Sequence, residues 1–388
     1  MTPAARFAAA IAVLDQIVAG DPAERALTSW ARTHRFAGSG DRAAIRDHVY
    51  DVLRARRSLA VLGGGTNGRA LVLGLLRRDK IDPQTVFGTG GHAPTALSSH
   101  EAAPPDATPT PAEAADLSDW LWPLWQDAFG EDAMAVAQAM QHRASLHLRV
   151  NLARTTRDAA QARLAGEGIV TDVHPDVATG LIVLDNPRRV AGSATLADGW
   201  IEVQDAASQI AVAALPLTPG LRVLDYCAGG GGKALAIADR LGGQVWAHDI
   251  DPARMQDIAP RAARAGATIT TCSTKALSAL APFDLVLCDA PCSGSGTWRR
   301  TPDAKWRLSA EDLSRLNILQ ADVLEKGAAL CAGMGRLAYA TCSVLRCEND
   351  AIVQAFLARH PRWSIESVLR LQPAPHNDGF YMAVLARN

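Results

Sequence analysis

No stretch of this chain approaches the run of about eighteen apolar residues that a membrane span requires. Nor does it carry an excess of one charge: the formal net charge is −1, so no global field steers it to a polyanion or an acidic surface. Cysteine is missing from residues 1–226. All seven cysteines lie between Cys227 and Cys347, an odd number confined to one part of the chain, which favours reduced thiols in a cytoplasmic protein over a secreted disulfide framework. Those cysteines are not spaced for a metal either. Cys288-x3-Cys292 and Cys342-x4-Cys347 lack the C-x2-C step of zinc sites, and no metal is expected. The G-x-x-x-x-G-K-S/T phosphate loop is also absent, which argues against an NTPase. The first residues interrupt an apolar run with Arg6 and Asp15, the pattern of an amphipathic helix and not of a signal peptide.

What is present divides by composition. With 388 residues the chain exceeds one ordinary core, and 48% hydrophobic with 20% charged residues is the balance of a globular protein. Phe7, Ile11, Leu14 and Val18 recur at helical spacing, Asp21 and Pro22 open a second helix, and helical patterns continue over 27–33, 41–62 and 70–78. Residues 1–87 therefore read as an all-α domain. Over residues 1–82 it holds 13 Lys+Arg against 8 Asp+Glu, and Arg54, Arg56 and Arg57 cluster as either a solvated face or an RNA contact.

Residues 88–116, with Pro94, Pro104, Pro105, Pro109 and Pro111, read as a mobile linker. Connecting helices are expected over 117–145, where Trp120, Trp122 and Trp125 suit helix packing better than a base-stacking platform. Residues 146–203 alternate like a small αβ domain of the RRM-like kind, with strands over 146–150, 169–173 and 181–184 and a helix over 156–167. From Gln204 onward, strands at 222–226, 245–249, 268–271, 285–288 and 337–340 alternate with helices at 233–241, 252–265 and 310–331. That alternation predicts an α/β fold, a doubly wound and mostly parallel sheet, with 379–385 returning as an antiparallel strand.

Three stretches carry chemistry. At 223–233 a strand runs into Cys227, Ala228, Gly229, Gly230, Gly231, Gly232 and Lys233, a loop whose backbone amides can approach a ligand at a helix start. Asp249 ends the next strand, where a carboxylate can accept hydrogen bonds from a ribose diol. The apolar run Leu285, Val286, Leu287 then breaks into Asp289, Pro291 and Cys292, and Tyr339–Ser343 repeats the design with Cys342. Strand ends of this kind deliver a carboxylate and two thiols to the ligand edge of an open sheet. Cys288 and Cys331, inside the apolar runs, read as small buried hydrophobes.

Asp289–Gly294 with Trp298, Arg299, Arg300, Pro302, Asp303, Lys305 and Trp306, then Thr341–Ser343, resembles the bacterial Sun/Fmu-type 16S ribosomal RNA cytosine-C5 methyltransferases. Val203–Gln209 is similar to that family's opening motif and Asp378–Tyr381 to its closing one, while residues 1–62 resemble, more loosely, its NusB-like RNA-binding domain. The resemblance implies a class I methyltransferase domain over 204–388 that uses S-adenosyl-L-methionine, held by residues 227–233, Asp249 and Asp289. It implies 16S rRNA as partner, with a single-stranded or loop cytidine as target, no membrane, and a monomer in the cytoplasm. Cys342 would be the nucleophile, Cys292 would help release the product, and Asp289 would touch both cofactor and base. Arg299, Arg300, Lys305 and Arg307 would meet phosphates.

Two stretches depart from the family pattern. Gly229 and Gly230 stand where it has Ala-Pro, with Ala234 in place of Thr, and Cys272-Ser273-Thr274 occupies the place of an adenine-binding Asp. The chemistry asks for such residues on its own account. C5 of cytosine is a poor nucleophile until a thiolate adds at C6, and the C5 proton must later leave with help from a second acid–base group. By analogy with DNA cytosine-C5 methyltransferases, Pro291-Cys292 is the rival nucleophile. Amino-group methylation is disfavoured, since its Asn/Asp-Pro-Pro-aromatic turn is absent. A tRNA target and a non-catalytic ribosome-assembly role are the alternative readings.

Overall fold

The computed structural model describes residues 1–387, which divide into two compact units. The first comprises Met1–Arg143 together with Trp298–Leu308, and the second Ala144–Thr297 together with the remainder from Ser309.

The helical unit is built on Pro3–Val18, Ala23–Thr33, Ser39–Arg54, Arg56–Gly63 and Gly68–Arg78. Thr2 caps the first helix by accepting from the Ala5 amide, and Pro3 supplies a first-turn residue with no amide to satisfy. Gly68–Arg78 is the central helix, with Leu71, Val72, Leu73, Leu75 and Leu76 all buried. It crosses Arg56–Gly63 at close range, because a Cβ on Gly74 would fall 2.1 Å from the Leu59 carbonyl oxygen. Only glycine permits that approach. No single helix among the described residues is long and apolar enough to cross a membrane.

The stretch expected to be a mobile linker is instead anchored along the helical unit. Ser98 with Glu101, and Thr110 with Glu113, close two capping boxes on short helices. Arg69 donates to Glu101 at 2.6 Å and to the Thr95 and Ala96 carbonyls at 3.0 Å. Asp116, fully buried, accepts from the Arg57 and Ser58 amides at 2.8 and 2.9 Å and so caps the helix Arg56–Gly63. Side-chain anchors of this kind offset the ordering entropy that proline-rich composition alone does not. The connecting helices form as Leu121–Phe129 and Ala133–Ala139, and Trp125 stacks on Trp298 with ring centroids 6.2 Å apart.

The second unit opens with an antiparallel sheet of β1 (Leu146–Val150), β2 (Val170–Val173), β3 (Gly180–Asp185) and β4 (Ile201–Val203) in the order β2-β3-β1-β4. Strand alternation gives each face its task. Leu148, Val150 and Ile201 pack on Ala160 and Leu164 of the helix Arg157–Gly166. The intervening residues turn to the larger layer, where Arg149 pairs with Asp239 at 2.8 Å and Glu202 with Arg261 at 3.0 Å.

The large sheet has the order β10-β11-β9-β8-β5-β6-β7. Its parallel part is β5 (Val223–Asp225), β6 (Val245–Ala247), β7 (Ile269–Thr271), β8 (Phe283–Asp289) and β9 (Cys331–Thr341). β11 (Phe380–Arg387) runs antiparallel to β9, as the sequence suggests, and β10 (Trp363–Leu371) extends the edge as a further antiparallel strand that the sequence reading missed. The expected helix over 252–265 is a 3-10 turn, Pro252–Met255, followed by Ile258–Ala265. Chain order reverses between β5 and β8, which places the ligand crevice of such a sheet at their carboxyl ends.

Candidate active site

The glycine loop leaves β5 at that reversal. Gly229 and Gly231 hold φ of +50° and +80°, and a Cβ on Gly231 would lie 2.8 Å from Ile258 Cγ1, so both backbone and space require glycine there. Gly231 begins the helix Gly232–Leu241, whose first-turn amides face the loop end as donors. The Gly230 carbonyl accepts from Arg261, the same arginine that pairs with Glu202, so the loop is braced from β4. Burial pushes the Cys227 thiol well above its ordinary range, and that side chain is an inert wall of the loop.

Asp249 is buried and already engaged. Its carboxylate accepts from the Gly229 and Asp251 amides at 3.0 Å each and pairs with Arg254 at 3.2 Å, which ties the end of β6 to the glycine loop. His248 bridges the Tyr226 carbonyl, 2.7 Å from Nδ1, and the Thr274 hydroxyl, 2.9 Å from Nε2. Thr274 thus joins the loop ends after β5, β6 and β7, in the place where the family pattern has an acidic residue.

A charged pair occupies the floor. Lys233 Nζ donates to Asp289 Oδ2 at 2.7 Å and stands 5.2 Å from the Phe380 ring centroid. Burial is the largest single influence and disfavours the Lys233 charge, but Asp289, with Cys342 and Asp225 adding to it, raises the ammonium pKa on balance. Asp225, on β5, is buried with neither carboxylate oxygen in a hydrogen bond among the described residues. Burial first, and the Asp289 charge second, push its carboxyl up to about 7, while the Ala234 amide lowers it without meeting hydrogen-bond geometry.

The two thiols meet above this floor. Asp289 of β8 pairs in register with Ala340 of β9, so the turns that follow both strands leave the sheet at one level. Cys292 Sγ lies 3.4 Å from Cys342 Sγ. The hydrogen bond from Cys292 holds the Cys342 thiol below its ordinary pKa, against its burial, with Lys233 also lowering it. The same hydrogen bond, and then burial, push Cys292 well up. Of the pair, Cys342 is the thiol shifted toward ionisation and Cys292 the one shifted away from it.

One residue that the sequence reading passed over organises both turns. Glu348, fully buried, accepts from the Ser293 amide at 2.8 Å, the Ser293 hydroxyl at 2.5 Å, the Ser343 hydroxyl at 2.5 Å and Gln320 Nε2 at 2.9 Å. Ser293 follows Cys292 and Ser343 follows Cys342, so a single carboxylate spaces the two thiols. Ser295 Oγ lies 2.8 Å from Ser343 Oγ, and Asn349 Nδ2 donates to the Ser343 carbonyl at 2.9 Å. The only sequence signal for Glu348 is its place in the turn after Thr341–Ser343, since no periodicity marks it.

The basic residues of 299–307 fall in the helical unit, and two of them do not face solvent. The Arg54 guanidinium donates to the Arg299 carbonyl at 2.7 Å, and Lys305 Nζ donates to the Arg54 carbonyl at 3.3 Å. Arg299 and Lys305 are buried, which corrects their reading as phosphate contacts; Arg300 is half-buried and Arg307 exposed. Charge suggested a surface, but Lys305 turns inward to the Arg54 carbonyl at the end of Ser39–Arg54, and Arg299 lends its backbone carbonyl to the Arg54 guanidinium.

Burial pushes the Lys305 ammonium down to about 8, with Asp116 opposing the shift. The unfolded chain then binds this proton more tightly than the folded one, so stability should rise with pH from about 8 to about 10.5, by on the order of 3 kcal/mol from this group. Melting temperatures of wild type and Lys305→Met across pH 7–10 check it, with the wild type expected to gain on the variant as pH rises. Parallel curves would remove Lys305 as the source.

Known proteins match the chain in a consistent way. The family model described as 16S rRNA methyltransferase RsmB/F matches residues 212–386, and a Methyltr_RsmF/B-like, ferredoxin-like domain matches residues 117–191. The ribosomal RNA small subunit methyltransferase B of Vibrio cholerae is 35% identical over 69% of this chain and 64% of its own length, so the match spans less than two thirds of that relative. The protein of the same name from Cronobacter sakazakii is 32% identical over 69% of this chain and 67% of its own length. Among solved structures, a methyltransferase homolog protein from Pyrococcus horikoshii superposes with a TM-score of 0.63 at 24% identity, over 73% of this chain and 100% of that one, a likeness of fold.

Proposed function

The chain belongs to the 16S rRNA methyltransferase RsmB/F family, and on that premise we propose that it transfers a methyl group from S-adenosyl-L-methionine to C5 of a cytidine in 16S rRNA, with Cys342 as nucleophile. The observation that carries this reading is the thiol pair, 3.4 Å apart at the ends of β8 and β9, whose surroundings favour ionisation of Cys342 and oppose that of Cys292. A single buried cysteine would be packing. Two, of which one is biased toward the thiolate, suit a reaction that must both form and break a carbon–sulfur bond.

The residues at the reversal fit the proposed methyl donor. Asp225 offers a buried carboxylate with no hydrogen-bond partner among the described residues, beside a glycine loop and helix start rich in amide donors. Asp249 reaches any ribose hydroxyl only through lone pairs its present amide partners leave open. When bound, S-adenosyl-L-methionine supplies an electrophilic methyl on a sulfonium.

The chain's own part follows from its atoms. Cys342 Sγ, as thiolate, adds to C6 of the cytosine and breaks the 5,6 double bond, which makes C5 nucleophilic toward the methyl. Asp289, held by Lys233 at 2.7 Å, is directed to the N3/N4 edge of the base, where its carboxylate accepts from the N4 amino group and the Lys233–Asp289 pair relays a proton to N3, which neutralises the negative charge the thiolate brings to the ring. The C5 proton then leaves to a base, the double bond re-forms, and Cys342 departs as thiolate. Cys292 Sγ, 3.4 Å from Cys342 Sγ, is the side chain placed to serve that release: as a thiol it hydrogen-bonds the departing Cys342 thiolate, while water takes the C5 proton. The base must leave its stack to enter such a site, which favours a single-stranded or loop cytidine.

The test is labelled-methyl transfer to unmodified 16S rRNA and to bulk tRNA, followed by nucleoside analysis. Label is expected as 5-methylcytidine in the rRNA alone. Label in tRNA alone would reassign the substrate, and none in either, with no binding of S-adenosyl-L-methionine by calorimetry, would leave an assembly role.

A further inference from the structure

The helical unit contains a cavity of about 570 Å³ that the chemistry at the paired cysteines does not use. Its walls bring together two features that look unrelated in sequence, the arginines at 56–57 and the tryptophan at 120. Trp306, from the Trp298–Leu308 segment of the same unit, completes it.

Its two arginines differ. Arg57 is committed, donating to the Leu117 carbonyl and to Asp119, both at 2.7 Å. Arg56 has no hydrogen bond or ion pair among the described residues; its nearest aromatic neighbour is the Trp306 ring, with the guanidinium carbon 5.7 Å from the centroid. Burial disfavours the Arg56 charge, with the carboxylate of Asp303 as the opposing influence. A half-buried guanidinium kept without a carboxylate on it is a vacancy for an anion. The indoles are as specific. Trp306 Nε1 donates to the Leu53 carbonyl at 2.6 Å, which fixes that ring in the wall, and Trp120 is half-buried with no ring partner among the described residues.

A planar face, a second planar face and one open cation in a concave site match a ligand that is aromatic and singly anionic. We propose that this cavity binds one nucleotide of a single-stranded RNA, with the base on the Trp120 and Trp306 indoles and the phosphate on Arg56. The local surplus of 13 Lys+Arg over 8 Asp+Glu in residues 1–82 is of the sign such a strand needs. The site concerns capture of the RNA and not the chemistry at the thiols.

The full-length chain titrated calorimetrically with 5′-AMP and with adenosine tests this without methyl donor or transfer. Saturable binding of 5′-AMP is expected, with adenosine weaker by about tenfold for want of the phosphate. Arg56→Gln should bring 5′-AMP down to the adenosine level and reduce the salt slope for a single-stranded oligoribonucleotide by about one. Trp120→Leu should weaken both ligands alike and Trp120→Phe should keep them, which separates loss of stacking from loss of fold. A 4-thiouridine oligonucleotide should crosslink to peptides containing Trp120 or Trp306. Equal affinity for 5′-AMP and adenosine, or an Arg56→Gln protein that binds as wild type, would overturn the proposal. So would a phosphotyrosine peptide binding more tightly than 5′-AMP, which would make the cavity a protein-docking site. None of these outcomes bears on methyl transfer.

Discussion

Cys342→Ala should lose methyl transfer by on the order of 10⁴-fold or more and form no covalent complex with RNA, because in the proposed mechanism its thiolate makes the attack on C6. Cys292→Ala should do the opposite at the first step and fail at the last. Addition survives, release is slowed, and an RNA–protein adduct accumulates that a denaturing gel retains. The pH dependence adds a sign. In the wild type the hydrogen bond from Cys292 is the largest influence lowering the Cys342 pKa, opposed by burial. Without Cys292 the Cys342 thiol titrates higher, so the pH at which adduct formation by Cys292→Ala reaches half its plateau should lie above that of the wild type. An adduct kept by Cys342→Ala and lost by Cys292→Ala would exchange the two roles and favour the Pro291-Cys292 nucleophile.

Glu348→Ala is expected to cost about 3–5 kcal/mol in a urea melt, because two hydroxyls, an amide and the Gln320 side chain lose their acceptor in a fully buried place. Glu348→Gln is the more informative change. It keeps the shape but sets an amide donor against donors, so the two turns lose their fixed spacing and transfer should fall by about 10²-fold. Its charge is also gone, and that charge raises both thiols. Alkylation of Cys342 at fixed pH should therefore become faster in Glu348→Gln while transfer becomes slower. A merely structural role would move both rates in one direction, and that result would remove Glu348 as the residue that positions the pair.

What the sequence disclosed follows a physical division. Strand ends are legible because an apolar run that breaks into Asp289, Pro291 and Cys292 has one structural meaning, and the glycine loop is legible for a like reason. Thiol proximity was implied by topology, since β8 and β9 are parallel neighbours with Asp289 level with Ala340. Glu348 stayed hidden because a buried carboxylate is recognised by its donors, which come from positions 293, 320 and 343. The linker reading failed where composition was weighed above local pattern. Ser98-x-x-Glu101 and Thr110-x-x-Glu113 are both capping-box sequences, legible from residue type and spacing alone. Arg299 and Lys305 were misread because a long basic side chain is ordinarily a surface group, whereas here both are buried with the end of Ser39–Arg54.

The helical unit is discontinuous, and Trp298–Leu308 belongs to it as fully as Met1–Arg143 does. Trp298 is its stacking partner for Trp125, and Trp306 bonds to the Leu53 carbonyl. On the ribosome, then, the first-made part of the chain waits for a piece made much later. At about 5–20 residues per second the roughly 150 residues between Arg143 and Trp298 impose a delay of roughly 8–30 s, during which the indole of Trp125 and the carbonyl end of Ser39–Arg54 lack their partners. A nascent chain halted before Trp298 should be open to protease around Trp125, and one halted well past Leu308 should be closed. A fragment ending at Arg143 would be that waiting intermediate made permanent.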